Sequence, residues 1–163
     1  VVDRAITASL ALIGPGEITV RGSITNAIVA DHGTTTIDRT TVIGTVHTSI
    51  LEASESIFTG DVTVVDRFHG CIRFSRVETG SVLPARHRIV EGVAPRFTSL
   101  DRNDAACARL AETCDVRIRF GAADGAEMGV FHDELWSVRR EAVARRLSEY
   151  TPAGLISGLI RMD

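Results

Sequence analysis

The chain has 163 residues, which is long enough to bury a hydrophobic core as one domain or two small ones. Hydrophobic residues make up 44% and charged residues 24%, so the composition excludes a disordered chain and predicts a globular protein without membrane insertion. The net charge is -3, and the eighteen basic residues, all arginine, are spread along the chain, which argues against nucleic acid as a partner.

A glycine followed by a polar residue and then a β-branched residue recurs along the first half of the chain. The copies are Gly16-Glu17-Ile18, Gly22-Ser23-Ile24, Gly44-Thr45-Val46, Gly60-Asp61-Val62 and Gly70-Cys71-Ile72. Between Ala5 and Val90 apolar residues alternate with polar ones that are often threonine, which predicts short strands. The repeat length of about twenty residues is typical of a β-solenoid, with the glycines at its corners.

An antiparallel β-sandwich is the competing fold, because it also consists of short strands separated by turns. The strand region contains no Asn-Gly or Asp-Gly pair to form tight hairpins, so the solenoid is favoured. The end coil of a solenoid must be capped or paired with another chain, since its open strand edge otherwise recruits other strands.

The pattern changes between Pro84 and Pro95, so we assign residues 1–92 to the solenoid and residues 93–163 to a small α/β capping module. We expect this module to pack on the end of the solenoid. An apolar stripe predicts a short amphipathic helix over Asn103 to Cys114. Its members are Ala106, Cys107, Leu110, Ala111 and Cys114.

A second helix is predicted from Asp133 to about Tyr150, ending or kinking at Thr151-Pro152. Its expected inward residues are Leu135, Val138, Ala142, Val143 and Leu147. The segment from Leu155 to Met162 is apolar and is a candidate final strand.

The three cysteines, Cys71, Cys107 and Cys114, are too few for a disulfide framework and favour a reducing compartment. Cys107 and Cys114 are interpreted as buried structural thiols. Cys71 lies near His69, with His87 downstream, but zinc ligation lacks the paired Cys-x-x-Cys spacing and a structural role is favoured.

The densest polar cluster of the sequence is the glycine-rich loop from Gly121 to Glu134. Asp124, Glu127, His132 and Asp133 are the candidate metal ligands or acid/base groups there. The EF-hand spacing is absent, so the structural interpretation, acidic residues at a helix N-terminus, is preferred and no metal or other cofactor is assigned.

Solenoid faces can also hold the two carboxylates of a glycosidase, which in inverting enzymes lie about 6.5 to 9.5 Å apart. The candidates are Asp31, Asp61, Asp66 and Glu78. The chain has one Trp and one Tyr, fewer aromatic platforms than a sugar-binding groove usually has, and no catalytic residue is assigned.

Several segments from about Thr41 onward resemble a family of large uncharacterised bacterial β-helical proteins, whose genes lie near phage tail-like or contractile-injection clusters. The similar segments are Leu51 to Gly60, Gly70 to Ser75, Phe97 to Leu100 and Gly121 to His132 with its Glu127-Met128-Gly129. The resemblance carries no catalytic motif, and Pro152 departs from the longer helix of the family. It implies that the chain is the C-terminal part of a longer protein with a structural or adhesive role.

The sequence therefore predicts a mainly β protein, a parallel β-helix (β-solenoid) followed by a small α/β C-terminal module. We expect a non-enzymatic structural or surface-recognition component of a phage tail-like particle, which self-associates and binds other particle subunits or a surface glycan. The alternative is a carbohydrate-active β-helix enzyme of the glycosidase or lyase type. The chain starts at Val1 without a basic-then-apolar leader, which indicates a fragment or a processed product. We expect it in the cytoplasm before assembly, leaving an extracellular location open.

Overall fold

A computed structural model describes residues 1–156 and shows a parallel β-solenoid of about five coils followed by a small helical module, which confirms the predicted fold class. The strands are β1 (Val2–Asp3), β2 (Ile6–Ala11), β3 (Gly16–Arg21), β4 (Ile24–Asp38), β5 (Thr41–Val42), β6 (Val46–Ser54), β7 (Ile57–Phe58), β8 (Val62–Val64), β9 (Gly70–Arg73) and β10 (Ala85–His87). The helices are α1 (Val116–Arg119) and α2 (Trp136–Tyr150), with a 3-10 turn at His132–Glu134 between them. Within residues 1–156 no helix is both long and apolar enough to cross a bilayer.

The coils stack in parallel register along one continuous sheet. β3 pairs with β4, β4 with β6, and β6 with β9, so that Val20, Ile37, Ala53 and Ile72 form one inward stack. All four side chains are at most 4% exposed. The alternation of apolar and polar residues places these β-branched and small side chains on the inner face, where successive coils share one core.

A ladder of buried hydroxyls joins one corner of successive coils. Ser23, Thr40, Ser56 and Ser75 are completely buried. The Ala5 N–H donates to Ser23 Oγ. The backbone amides of Ser23, Thr40 and Ser56 donate in the same way, each to the ladder hydroxyl of the next coil, which is 16 to 19 residues further along the chain. Each hydroxyl in turn donates to the carbonyl two residues before it. The ladder therefore satisfies backbone groups that the corner removes from the strand pairing.

The corner that contains the ladder has a left-handed backbone in every coil, and in four of six cases this residue directly precedes a ladder hydroxyl. The residues with this conformation are Arg4, Gly22, Arg39, Glu55, Phe74 and Arg88, with φ between 46° and 51°. Only Gly22 among these six residues is a glycine. The expectation that glycines mark the corners is therefore wrong for the other five. Gly60 has another role, because a Cβ there would lie 2.6 Å from the Gly44 carbonyl oxygen of the coil before it. Glycine is required where two coils approach closely.

The C-terminal module packs along the side of the solenoid, so the expected packing on its end is wrong. Ile57 of the fourth corner shares a core cluster with Leu110, Cys114, Ile118 and Met128. Ile24, two coils earlier, clusters with Cys107 and Ala108. The boundary at residue 92 stays a prediction, and the buried Arg76 crosses it by donating to the Val93 carbonyl at 2.7 Å.

The segment from Asn103 to Cys114 consists of turns and isolated bridges, so the helix predicted there is wrong. Asp101 and Asp104 carboxylates accept hydrogen bonds from the backbone amides of Asn103 and Ala106. These local bonds compete with helix formation, and the apolar residues of the stripe instead reach two different clusters on the solenoid.

The second predicted helix is confirmed as α2, which ends with Thr151 as its C-cap. Its expected inward face is wrong, because every residue from 141 to 150 is exposed. Within the described part of the chain, only residues 136–140 of α2 contact the module through side-chain interactions. Of the predicted final strand, Leu155 and Ile156 are exposed and outside any strand, and the remainder lies outside the described residues.

Candidate functional site

The four candidate ligands of the glycine-rich loop do not converge on one point. His132 Nε2 lies 3.4 Å from Asp124 Oδ2 and 3.4 Å from Glu55 Oε2, a carboxylate that sequence reasoning missed. His132 Nδ1 lies 3.0 Å from the Glu127 backbone oxygen. Asp133 turns to the solenoid corner and pairs with Arg39 at 2.8 Å. Two of the four candidates thus meet, on the solenoid side of the loop.

Glu127 lies in a separate buried pocket of the module. It is 1% exposed; its Oε2 accepts a hydrogen bond from Ser137 Oγ at 2.6 Å, and its Oε1 has no hydrogen-bond partner among the described residues. Burial raises the pKa of the Glu127 carboxyl, although the Ser137 hydroxyl opposes this shift. Glu127 therefore holds the first turn of α2 rather than joining the imidazole of His132.

The cluster of His132, Asp124 and Glu55 joins the module to the solenoid. The Gly129 amide donates to the Glu55 carbonyl at 2.7 Å, and the Val130 amide to Thr41 Oγ1 at 3.2 Å, so the loop is fixed to a corner and a strand of two adjacent coils. Within residues 1–156 no group of three or more His, Cys, Asp or Glu side chains has an arrangement suited to a metal ion. The geometry is that of a structural attachment.

The four carboxylates proposed for a glycosidase have separate surroundings. Asp31 lies 3.5 Å from His47, Asp66 lies 2.8 Å from His69, and Glu78 lies 2.6 Å from Arg76. Hydrogen bonds from their partners lower the pKa of both Asp66 and Glu78. Asp61 is exposed, and its backbone oxygen accepts from the Val46 amide. Three of the four are thus occupied by different basic partners.

The cysteines have the surroundings expected of structural thiols. Cys107 and Cys114 are 2% and 4% exposed, and burial raises the pKa of both thiols. Cys71 is half-buried on β9, and all three cysteines are free.

A charged groove on the outer face of the sheet was missed by sequence reasoning. It has a volume of about 240 Å³. Its polar lining residues are Arg21, Thr36, Asp38, Glu52, Ser54 and Arg73. The strand register places Arg21, Asp38, Ser54 and Arg73 in one outward stack across β3, β4, β6 and β9. The sequence does carry a signal for this groove, because each of the four strands ends in a polar residue and these residues recur at intervals of one coil.

The groove combines fixed donors and acceptors. Asp38 accepts from Ser54 Oγ at 2.6 Å and pairs with Arg39 at 2.9 Å. Glu52 lies on the adjacent strand, opposite Thr36 and two residues along from Asp38, which separates the two Cα atoms by about 8 Å in parallel strand geometry. Two carboxylates between two guanidinium groups suit a polar, hydroxyl-rich ligand or a charged protein surface.

The two ends of the solenoid core are covered to different extents. At the C-terminal end Val77 and Leu83 are 0% and 1% exposed. At the N-terminal end Val2, Leu10 and Ile18 are only partly buried against the core. Within the described residues β1 pairs only with β3, and β2 only with β4, which leaves one edge of each strand open. We call this surface the N-terminal end.

No protein-family model matches the sequence, and no match was found for the chain among curated proteins or solved structures.

Proposed function

We propose that this protein is a non-enzymatic structural component that self-associates through the N-terminal end of its solenoid. The observation that carries the proposal is the open edge of β1 and β2 above a half-covered apolar core. An open parallel edge with apolar residues beside it recruits further strands. Ile6 and Ile13, at 50% and 99% exposure, add apolar surface at this end.

The second copy of the chain is the proposed occupant, because a two-fold axis at the N-terminal end places two identical open edges opposite each other. Such an isologous contact closes after two chains. At the C-terminal end β10 also pairs with β9 alone among residues 1–156 and Ile89 is partly buried, but the exposed residues of that strand include Arg86 and His87, so this edge is more polar and an open head-to-tail fibre is disfavoured. The proposed unit is therefore a dimer of two 17.5 kDa chains.

The charged groove is the proposed recognition surface of this unit. Apart from Arg21 on β3, its residues lie on β4, β6 and β9, away from the open edges of β1 and β2, so the groove stays accessible in the dimer. Assembly at one end and recognition on a side face agree with a component of a phage tail-like particle, which the resemblance of residues from about Thr41 onward supports. Other particle subunits or a surface glycan are the proposed ligands.

Sedimentation velocity of the intact chain tests the assembly. We expect a dimer for the wild type and a monomer for the double variant Ile6→Lys/Ile13→Lys, because two charges per chain would be buried in the contact. Phe68→Lys is the matched control. Phe68 is also a large apolar residue, it is 97% exposed, and it lies away from the N-terminal end. A monomeric wild type, or a dimer that the double variant leaves intact, would refute the proposal.

The alternative of a carbohydrate-active enzyme is favoured by one observation, the placement of Asp38 and Glu52 on adjacent strands of the groove. Their Cα atoms are about 8 Å apart by strand geometry and both side chains line the same groove, so the two carboxylates lie on the same outer face of adjacent strands, as an acid/base pair requires. The test is release of reducing sugar from acidic and neutral glycans by wild type and by Asp38→Asn/Glu52→Gln. Turnover that the double variant abolishes, with an unchanged circular dichroism spectrum, would establish the enzyme; binding without turnover supports the recognition surface.

A further inference from the structure

Helix α2 is attached to the module by residues 136–140. Ser137 donates to the buried Glu127, Arg140 pairs with Glu112, and the Arg109 guanidinium lies 5.6 Å from the centre of the Trp136 ring. All residues from 141 to 150 are exposed. Isolated helices of this length are marginal in water, so the exposed turns lack the tertiary packing that usually stabilises a helix.

The exposed part of α2 carries an apolar stripe. Val143, Leu147 and Tyr150 follow at intervals of four and three residues, so they lie on one side of the helix, and they are 46%, 36% and 84% exposed. Beside α2 a groove of about 560 Å³ separates it from α1. The groove is lined by Val116, Arg119, Phe120, Arg140, Glu141 and Ala144. We call the stripe and this groove together the α2 face.

The charges around the α2 face are mainly positive. Arg139 and Arg146 lie one helical row beside the stripe, and neither has an ion-pair partner among residues 1–156. Arg145 is 3.8 Å from Glu141, an exposed pair of the weak kind. Arg139 and Arg146 lie on the same side of the stripe, so two copies of α2 packed antiparallel through the stripe would bring these arginines together. Self-pairing through this face is therefore disfavoured.

We propose that the α2 face docks an acidic amphipathic helix of a partner protein. Apolar residues of that helix would cover the stripe and enter the groove, while its Asp or Glu side chains would pair with Arg139 and Arg146. Helix-in-groove recognition uses apolar anchors at this spacing, and complementary charges at the rim set the choice of partner. The inference goes beyond the proposed function, since it concerns a different surface and a different partner.

The probe is a designed amphipathic peptide with Leu at its a and d positions and Glu on both flanks, titrated into the intact chain. A second peptide of the same pattern, with Lys in place of Glu, is the control ligand. We expect the Glu peptide to bind and the Lys peptide to bind at least about tenfold more weakly. Leu147→Asp should weaken the Glu peptide by about tenfold or more, since it places a charge in the contact.

Val138→Asp is the matched control for Leu147→Asp. Val138 is a 39% exposed apolar residue of the same helix. It lies nine residues before Leu147 and therefore on the opposite side of α2. The affinity of Val138→Asp for the Glu peptide should stay within about twofold of the wild-type affinity. The double variant Arg139→Glu/Arg146→Glu should reverse the preference and bind the Lys peptide more tightly.

Three results would overturn the inference. One is equal binding of the Glu and Lys peptides, and another is a loss of affinity in Val138→Asp that matches the loss in Leu147→Asp. The third is binding to phosphatidylserine-containing vesicles that Leu147→Asp abolishes while neither peptide binds. None of these substitutions touches the N-terminal end, so the sedimentation test of self-association is independent of the outcome.

Discussion

Replacing Ser56 by alanine removes one rung of the buried hydroxyl ladder. Ser56 Oγ accepts from the Thr40 amide at 3.1 Å and donates to the Ser54 carbonyl at 2.7 Å. The Thr40 amide would be left buried and unpaired, which costs about 1–3 kcal/mol, and the lost bond to Ser54 adds about 1 kcal/mol. We therefore expect Ser56→Ala to lower the free energy of unfolding by about 2–4 kcal/mol.

Urea denaturation measures this loss. With a slope of about 1–3 kcal/mol per molar, the midpoint should fall by roughly 1–2 M. Ser9→Ala is the control, because Ser9 is exposed on the first coil and the change should stay within about 0.5 kcal/mol. Hydrogen exchange adds a local readout: the Thr40 amide should lose protection before the Ser23 amide, which bonds to the intact Thr40 hydroxyl. Equal midpoints for the two variants, with Thr40 still protected, would refute the role given to the ladder.

Two further substitutions test the close packing of coils and the buried carboxyl. Gly60→Ala should destabilise the protein by about 1–3 kcal/mol, since its Cβ would lie 2.6 Å from the Gly44 carbonyl oxygen. The control is Gly16→Ala, whose Cβ meets only the Leu12 side chain at 3.4 Å. Thermal unfolding should show the control to be nearly neutral. The pKa of Glu127 is raised above its ordinary 4.5 by burial, so the stability that the protonated carboxyl gives is complete below 4.5 and is lost as the pH rises through the higher folded-state value. Glu127→Gln cannot ionise, so it should not lose stability in this way as the pH rises. The difference in melting temperature between wild type and Glu127→Gln should therefore change with pH above 4.5. A difference that stays constant from about pH 4 to 8 would contradict the role given to the buried carboxyl.

The sequence predicted the solenoid because its alternation and coil-length repeat are local signals. Val20, Ile37, Ala53 and Ile72 stack as that pattern requires. The corners were not predicted correctly, because a left-handed backbone is held by the neighbouring coil and therefore occurs at Arg39 as well as at glycine.

The prediction of the C-terminal module was less complete, for two physical reasons. The apolar stripe ending at Cys114 has helical spacing, but Asx turns at Asp101 and Asp104 and contacts to different coils decide its conformation. The meeting of His132 with Glu55 joins residues far apart in sequence, and a single sequence carries no signal for such a contact.

Concentration-dependent hydrogen exchange tests the central claim, assembly through the N-terminal end, most directly. We expect the amides of β2 to gain protection as the protein concentration rises through the dimerisation range, while those of β10 at the other end do not change. Protection of β2 that is independent of concentration, or a gain confined to β10, would contradict it.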